Sequence, residues 1–169
     1  DNLCIFFNIQ IYIFMKAIIE VSKHSNLKYE YDVDTQILHL DRVLHNTNRF
    51  PYNYGFIPNT LAPDGDPVDI ILLSSHVIHP GVMIDIRILG GIETHDEKGQ
   101  DDKIICVLDT HIDNEYTHIG NLSQLPEYEL QQINYFLTHY KDGESNKFIQ
   151  LKEPYNKKEA FAFIEQCMV

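Results

Sequence analysis

Three carboxylates, Asp64, Asp66 and Asp69, lie close together in the stretch DGDPVDI, residues 64 to 70. At a separation of about 5 Å and an effective dielectric of about 20, each pair would repel by about 3 kcal/mol. Such crowding is tolerated when a cation lies among the carboxylates, or when they point apart into water. Gly65 permits a tight bend and Pro67 restricts its own φ, so the backbone is stiffened where the carboxylates meet. The stretch is therefore a candidate cation site, with a solvated surface loop as the alternative.

A second acidic cluster, DEKGQDD, spans residues 96 to 102. Neither cluster contains His or Cys. Ligand sets made only of oxygen atoms suit hard cations such as Mg²⁺, Mn²⁺ or Ca²⁺ rather than Zn²⁺. The two clusters together are consistent with a site for divalent cations, and a solvated loop remains the alternative for each of them.

Basic and phenolic side chains accompany the acidic clusters. In ILHLDRVL, Arg42 shares the strand alternation of Leu38, Leu40 and Leu44, which directs its guanidinium toward an otherwise apolar face. A buried charge needs a partner, and a phosphate is a partner that Arg binds well. An Arg that reaches water from a strand end is the alternative. The other candidates for binding an anion are Lys28, Tyr54, Lys103, Tyr140 and Lys141.

Length, charge and cysteine usage limit the class of protein. The chain has 169 residues, which suits one domain with one core, and a formal net charge of -12. That charge argues against a nucleic acid partner or an anionic membrane surface, because both are bound by clustered Lys and Arg. Cys4, Cys106 and Cys167 form no C-x-x-C pair, so neither a disulfide framework nor a thiolate metal site is indicated. A reducing cytoplasm fits this usage.

The segment before Met15, DNLCIFFNIQIYIF, is apolar but does not resemble an export signal. It begins with an acidic residue, lacks a basic n-region and a small-residue cleavage site, and is too short to span a membrane. Because MKAIIEV reads as a natural start, residues 1–14 are interpreted as an N-terminal extension that is not native, upstream of a single domain over residues 15–169. An extra strand or a flexible tail is the alternative.

The first half of the chain is predicted to form an antiparallel sheet or barrel. Short β-rich runs between residues 17 and 89 are separated by turn residues, and prolines interrupt any helical pattern. In LKYEYDV the strict alternation places Lys28 and Glu30 side by side on one face. Further strands are predicted over residues 37–44, 82–89 and 103–108.

Two helices are predicted in the last third of the chain. Pro126 opens the first, whose apolar residues recur at helical spacing and which Gly143 can end. The second begins at Asn156, with Glu159 at the capping-box position. Its predicted apolar face consists of Ala160, Phe163, Ile164 and Cys167. A small β core with two helices packed on it is expected.

The ordered motifs resemble one known family. DGDPVDI is similar to the signature of family I soluble inorganic pyrophosphatases, Mg²⁺-dependent enzymes that split pyrophosphate into two phosphates. The segments IIEVS, LKYEYD, LDRVL, RFPYNYGFIPNTL, HDEKGQDDKIICV and HYKDGESNKF also occur in the family's order and near its spacing. The resemblance implies an α+β, mostly β fold, in which a five-stranded OB-like barrel is flanked by two main helices and the active site lies at the barrel mouth.

The resemblance also implies a role for each candidate residue. Asp66 would accept the proton of the attacking water, a metal-bridged hydroxide in the reaction, and Tyr54 and Arg42 would assist catalysis by meeting developing charge. The metal ligands would be Asp64, Asp69 and Asp101 for the tightest site, Asp96 for ions that arrive with substrate, and Glu20, Glu30 and Glu97 mainly through metal-bound water. The two phosphoryl groups would be held by Lys28, Arg42, Tyr54, Lys103, Tyr140 and Lys141, with Lys147 close by.

Two residues depart from the family pattern, and three histidines need separate interpretation. Phe50 stands where many relatives have Tyr, and Phe148 where they often have Trp.

His76 and His79, in an H-x-x-H, are expected to face solvent rather than bind metal. His139 lies either near a subunit interface, as the resemblance implies, or on an exposed helix face.

The sequence thus predicts a cytoplasmic inorganic pyrophosphatase that uses several Mg²⁺ ions per site, with Mn²⁺ as a substitute. As in the shorter prokaryotic members, a homohexamer is implied, with neither nucleic acid nor membrane as a partner. The alternative is a noncatalytic domain that binds divalent metal or phosphate on the same barrel. Asp66, Lys28 and Arg42 argue against it, because a cation binder needs neither a base nor a phosphate clamp. A nucleotide phosphohydrolase is a third possibility, but the sequence contains no P-loop or nucleobase-binding motif to support it.

Overall fold

The computed structural model describes residues 15–169, and the prediction for residues 1–14 falls outside this range. The mostly β, α+β composition is as predicted. The strands are β1 (Met15–Val21), β2 (Leu27–Asp32), β3 (Ile37–Val43), β4 (Asn53–Phe56), β5 (Asp69–Leu73), β6 (Met83–Asp96), β7 (Gly99–Gln100), β8 (Lys103–Leu108) and β9 (Ile149–Asn156). A 3₁₀ turn (Leu122–Gln124) and the helix α1 (Glu127–His139) precede β9, and the helix α2 (Lys157–Cys167) follows it.

Five strands close into a ring in the order β1, β4, β5, β8 and β6, because β6 also pairs with β1. The ring confirms the five-stranded, OB-like architecture. Within residues 17–89 the ring pairings are antiparallel as predicted, whereas β5 and β8 run parallel. The strands β2 and β3 form a separate antiparallel hairpin, and β7 and β9 pair with β6.

The strand β5 is buried on both faces because a helix packs on each side of the core. Ile70 and Leu72 join the apolar cluster that includes α2, whereas Ile71 and Leu73 join the cluster that includes α1. This is the period of two expected of a strand, here with both faces apolar. Each large side chain buried in this way contributes about 1.5 to 3 kcal/mol. The core therefore holds rigid the strand whose first residue is Asp69.

Both helices begin where the sequence predicts. Pro126 is the N-cap of α1, and Asn156 caps α2 in a complete capping box with Glu159, at 3.1 and 2.9 Å. The predicted apolar face of α2 packs on the core, with Phe163 partly buried, and Phe161, which was not predicted, is buried there as well. The buried face of a packed helix is wider than a single stripe, so both rings contact the core. No helix within residues 15–169 is long and apolar enough to cross a membrane.

The strands β1, β4, β5, β7 and β9 were not predicted individually, and β6 continues to Asp96, past the predicted end. In the sequence, the pair Gly90 and Gly91 suggests a turn that would end the strand. In the structure they are the point where β9 crosses closely: a Cβ on Gly90 would lie 2.5 Å from the Tyr155 carbonyl oxygen, and one on Gly91 2.4 Å from the Tyr155 ring. These glycines therefore continue β6 and bring its end, Asp96, to the acidic turn.

Candidate active site

A cleft of about 190 Å³ opens at one end of the ring, beside the β2–β3 hairpin. Every site residue predicted from the sequence lines this cleft, although the residues come from segments far apart in the chain. They are Glu20, Lys28, Glu30, Arg42, Tyr54, Asp64, Asp66, Asp69, Asp96, Glu97, Asp101, Lys103, Tyr140 and Lys141. Lys147, expected close by, also lines it. The structure thus brings the whole predicted set together.

The carboxylates of the DGDPVDI stretch each have a different partner. Asp69 accepts a hydrogen bond from Lys103 Nζ at 2.5 Å, and Asp66 accepts one from Lys98 Nζ at 2.7 Å. Asp64 accepts from the backbone N–H of Asp66 at 3.2 Å. The side chains of Asp66 and Lys98 are each 56% exposed, whereas the pair at Asp69 is largely buried. Ammonium groups, rather than water alone, therefore offset the crowding of these acids.

Lys103 is the cation at the centre of the cleft. The parallel register of β5 and β8 pairs Asp69 directly with Lys103, whose Nζ also lies 2.5 Å from Asp101 Oδ1. Only 1% of the Lys103 side chain is exposed. Burial alone would lower the pKa of Lys103, but Asp69, Tyr54 and Asp101 outweigh burial and hold it well above its usual value. Lys103 therefore keeps a full positive charge between two carboxylates.

Two acids of the cleft, the half-buried Glu20 and the buried Asp101, hold their protons unusually strongly. Burial, reinforced by the charge of Asp69, raises the pKa of Glu20 to about 8. Burial likewise raises the pKa of Asp101 to about 7, against the lowering effect of Lys103. The donors are all carboxylate oxygens with more negative charge than the neighbouring ammonium groups offset, so the set fits a hard divalent cation such as Mg²⁺.

The turn after β6 adds a second acid and ammonium pair. Lys141 Nζ donates to Asp96 Oδ2 at 2.7 Å and lies 3.6 Å from Glu97 Oε2. Burial would raise the pKa of Asp96, but the hydrogen bonds from Lys141 and from the backbone N–H of Lys98 outweigh burial and lower it. The Asp96 carboxylate is therefore ionised without any added cation.

Arg42 does not face an apolar surface, which corrects the interpretation of ILHLDRVL. Leu44 is buried, but Leu40 is 55% exposed, because the β2–β3 hairpin stands beside the ring rather than inside a sandwich. The guanidinium lies between two carboxylates, with Nη1 2.6 Å from Asp41 and Nε 2.7 Å from Glu144. Arg42 thus lines the cleft while Asp41 and Glu144 contact two different nitrogens of its guanidinium.

Tyr54 and Tyr140 share an aromatic cluster behind the cleft. The Tyr54 hydroxyl donates to Asp69, and burial raises the pKa of both phenols. The Phe50 ring, 1% exposed, lies 5.4 Å from that of Tyr54 and 4.7 Å from that of Phe136, centroid to centroid. Phe136 in turn stacks on Tyr140 at 5.1 Å. A Phe at position 50 therefore supports both tyrosines through apolar contact.

Sequence reasoning missed several cleft residues. Lys28 and Glu30 stand side by side as predicted, with Lys28 Nζ 2.6 Å from Glu30 Oε1. The contact of Lys98 with Asp66, in contrast, was not predicted. The position of Lys98 within the acidic turn DEKGQDD was the available signal, since a cation there has acids on both sides. The other unpredicted lining residues are Tyr31, Phe56 and Pro67.

The histidines lie outside the lining of the cleft. His76 and His79 are exposed, as predicted. His76 nevertheless has a ring nitrogen within 4.8 Å of carboxylate oxygens of Asp113 and Glu115. The sequence does not predict this group, because His76 lies far along the chain from the two acids. His139 is partly exposed at the end of α1.

Comparison with known proteins decides the family. The model of the inorganic pyrophosphatase family matches residues 17–169. The chain belongs to the inorganic pyrophosphatase family. It is 39% identical to the Helicobacter pylori inorganic pyrophosphatase over 152 residues, which cover 90% of this chain and 88% of that relative. It is 43% identical to the Nanoarchaeum equitans inorganic pyrophosphatase over 151 residues, 89% of this chain and 93% of the relative.

The fold leads to the same family. A solved structure of the Helicobacter pylori inorganic pyrophosphatase superposes with a TM-score of 0.89 at 38% identity and covers 91% of both chains. The ring of strands and the helices that flank it are therefore those of a pyrophosphatase. Inorganic pyrophosphatases are metal-dependent, in agreement with the oxygen donors gathered in the cleft.

Proposed function

We propose that the protein hydrolyses inorganic pyrophosphate to two phosphates with the help of several Mg²⁺ ions, which Mn²⁺ can replace. The observation that supports this most directly is the cleft, where carboxylates for cations and basic groups for phosphates converge around the buried ammonium of Lys103. Membership of the pyrophosphatase family supports the same substrate. Nothing in the described structure or the comparisons favours a noncatalytic binding domain.

Carboxylates on three sides of the cleft would hold the metal ions. Asp64, Asp69 and Asp101 form the proposed tightest set, and a divalent cation bound there would lower the raised pKa of Asp101. When bound, divalent ions lower the pKa of the attacking water and neutralise phosphoryl oxygens. The remaining proposed ligands, direct or through water, are Glu20, Glu30, Asp96 and Glu97.

Asp66 is the proposed proton acceptor. Its carboxylate is 56% exposed at the cleft, so it can exchange the proton with solvent. Tyr54 and Tyr140 stay protonated because burial raises the pKa of each phenol. Tyr140 can therefore donate a hydrogen bond to a phosphoryl oxygen, and Tyr54 can do so once its hydroxyl turns away from Asp69. The proposed cationic clamp on the phosphates is made by Lys28, Arg42, Lys103 and Lys141.

Residues 15–169 are proposed to form one catalytic domain that works in the cytoplasm as a homohexamer. The family match over residues 17–169 supports the domain, and the similarity to short prokaryotic members supports the assembly. On α1, Tyr135 is 64% exposed, and its ring lies tilted against that of His139 with centroids 4.5 Å apart, which offers an aromatic surface to a neighbour. Light scattering would test the assembly, and a monomeric mass would refute it.

Phosphate release tests the proposed activity. Wild-type protein is assayed with pyrophosphate and with ATP, in the presence of Mg²⁺, Mn²⁺, Ca²⁺ or a chelator. Release from pyrophosphate should depend on Mg²⁺, continue with Mn²⁺ and stop with the chelator. No Mg²⁺-dependent release from pyrophosphate would refute the proposal, and faster release from ATP would point to a nucleotide phosphohydrolase.

A further inference from the structure

Glu144, a residue outside the predicted site, contacts two cations that line the cleft. It lies in the loop that follows α1, and its side chain is only 7% exposed. Its Oε1 lies 2.7 Å from Arg42 Nε, and its Oε2 lies 3.2 Å from Lys147 Nζ. Arg42 and Lys147 line the cleft, whereas Glu144 does not. The Glu144 carboxylate therefore contacts both cations without lining the cleft itself.

The geometry of the Arg42 contact requires explanation, because burying a charge is costly. Arg42 Nε and Glu144 Oε1 are fully buried, and neither has an aligned hydrogen bond within residues 15–169. Their stabilisation is therefore the attraction of opposite charges at 2.7 Å. Buried ion pairs contribute little net stability, and the best reason to keep one is the orientation that it imposes.

Glu144 and Asp41 together orient the guanidinium. Asp41 accepts from Nη1 at 2.6 Å, and Glu144 faces Nε, so two carboxylates hold two different nitrogens of Arg42. A guanidinium has five N–H donors in a fixed plane, so the donors that are not used by these acids remain for a ligand. Arg recognises phosphate best when that plane is already oriented.

The loop that carries Glu144 is tied to the segment that follows Arg42. The Asn46 amide donates to the carbonyl oxygens of His139 and Asp142 at 3.2 and 3.1 Å, and the Asn48 amide donates to His139 at 3.1 Å. These bonds join positions more than ninety residues apart in the chain. Carboxylate and guanidinium are therefore held in one fixed relation.

We infer that Glu144 is a positioning residue for pyrophosphate, which holds Arg42 and Lys147 at the cleft with their free N–H groups directed to a phosphoryl group. This inference rests on the proposed function and adds a residue to it. Glu144 neither touches the proposed metal ligands nor lines the cleft. Its removal should therefore weaken substrate binding and leave metal binding unchanged.

The test uses Glu144→Gln, which keeps the size of the side chain and removes its charge. Binding of methylenediphosphonate, a pyrophosphate analogue that is not hydrolysed, is measured by calorimetry at saturating Mg²⁺, and Mg²⁺ binding is measured alone. Because the variant leaves the side chains of Arg42 and Lys147 without the counter-charge that holds them, we expect roughly tenfold or greater weakening of diphosphonate binding. The KM for pyrophosphate should rise in parallel, with a smaller change in kcat and no change in Mg²⁺ affinity.

Asp142→Asn is the matched control, because it removes the same charge from the same loop while its side chain, 60% exposed, pairs with His139 outside the cleft. It should bind the analogue like wild type. Combining Glu144→Gln with Arg42→Met should weaken binding by no more than about twofold beyond Arg42→Met alone, since residues that act through one another are not additive.

Unchanged or tighter diphosphonate binding by Glu144→Gln would overturn the inference, as would equal weakening in Asp142→Asn or full additivity with Arg42→Met. The proposed function fails in a different way. Wild-type protein that binds the analogue but releases no phosphate from pyrophosphate would refute hydrolysis, and the role of Glu144 in diphosphonate binding would still be measured.

Discussion

Individual residues in the cleft differ mainly in how deeply their charges are buried. Lys103 is 1% exposed and lies between two carboxylates, so it serves as a fixed charge. Asp66 pairs with Lys98, and each of the two side chains is 56% exposed. Exposed ion pairs contribute at most about 1 kcal/mol and exchange readily with water. Asp66 is thus the acid of the DGDPVDI stretch whose carboxylate is most accessible to a reacting water.

Asp66→Asn should reduce kcat for pyrophosphate by about 10²-fold or more, because the amide cannot accept the proton that a general base takes. The unfolding temperature should change little, since Asp66 is exposed and its ion pair is weak. Initial rates of phosphate release and thermal unfolding measure the two effects. Asp34→Asn, at an exposed turn, is the control. A kcat within threefold of wild type would exclude Asp66 as the base.

At the scale of elements, α1 links the apolar core to the cleft. Its last turn carries Phe136, which is buried against Phe50, and the C-cap residue Tyr140 lines the cleft. Phe136 and Tyr140 lie one turn apart, and their rings stack with an interplanar angle of 21°. The position of the Tyr140 hydroxyl therefore depends on how α1 packs on the ring of strands.

Phe136→Leu should raise the KM for pyrophosphate several-fold and lower stability by about 1 to 2 kcal/mol, because the smaller side chain loses the stacked contact with Tyr140 and leaves a gap. Steady-state kinetics and denaturant unfolding measure these effects. Ile133→Val, one turn earlier on the buried face, gives a loss of about 0.5 to 1.5 kcal/mol without removing a ring from Tyr140. Equal KM values in the two variants would show that Phe136 serves the core alone.

For the whole molecule, the cleft gathers acids at a cost in stability. Glu20 and Asp101, with pKa values raised to about 8 and about 7, are protonated in the folded protein at pH values where the unfolded chain has lost those protons. The unfolded state therefore binds fewer protons between these limits, and the free energy of unfolding falls as pH rises. A divalent cation that binds the ionised carboxylates reverses this loss.

The metal-free protein should therefore become less stable between pH 5 and pH 8, by up to about 1.4 kcal/mol per pH unit from Glu20, with a similar contribution from Asp101 that ends near pH 7. Asp96, whose pKa is lowered, adds no slope in this window because it is ionised in both states. Thermal unfolding with a chelator, at fixed protein concentration, should show the decline, and Mg²⁺ should oppose it at pH 8.

Glu20→Gln is the control for this slope, because the amide oxygen can still accept the Tyr31 backbone N–H that Glu20 accepts at 2.7 Å. The variant should lose part of the pH dependence and be more stable than wild type at pH 8 without metal. An identical slope in the variant and wild type would remove Glu20 as its source.

The sequence by itself determined the residue types of the site, the family and the starts of both helices. Those depend on local patterns: paired acids around Gly65 and Pro67, ordered motifs along the chain, and the capping box of Asn156. Tertiary structure alone decided the partners. Arg42 faces Glu144, Asp66 pairs with Lys98 and β5 runs parallel to β8, all contacts between distant segments that no local periodicity encodes. Burial and charge neighbours then set each pKa, and these exist only once the ring has closed.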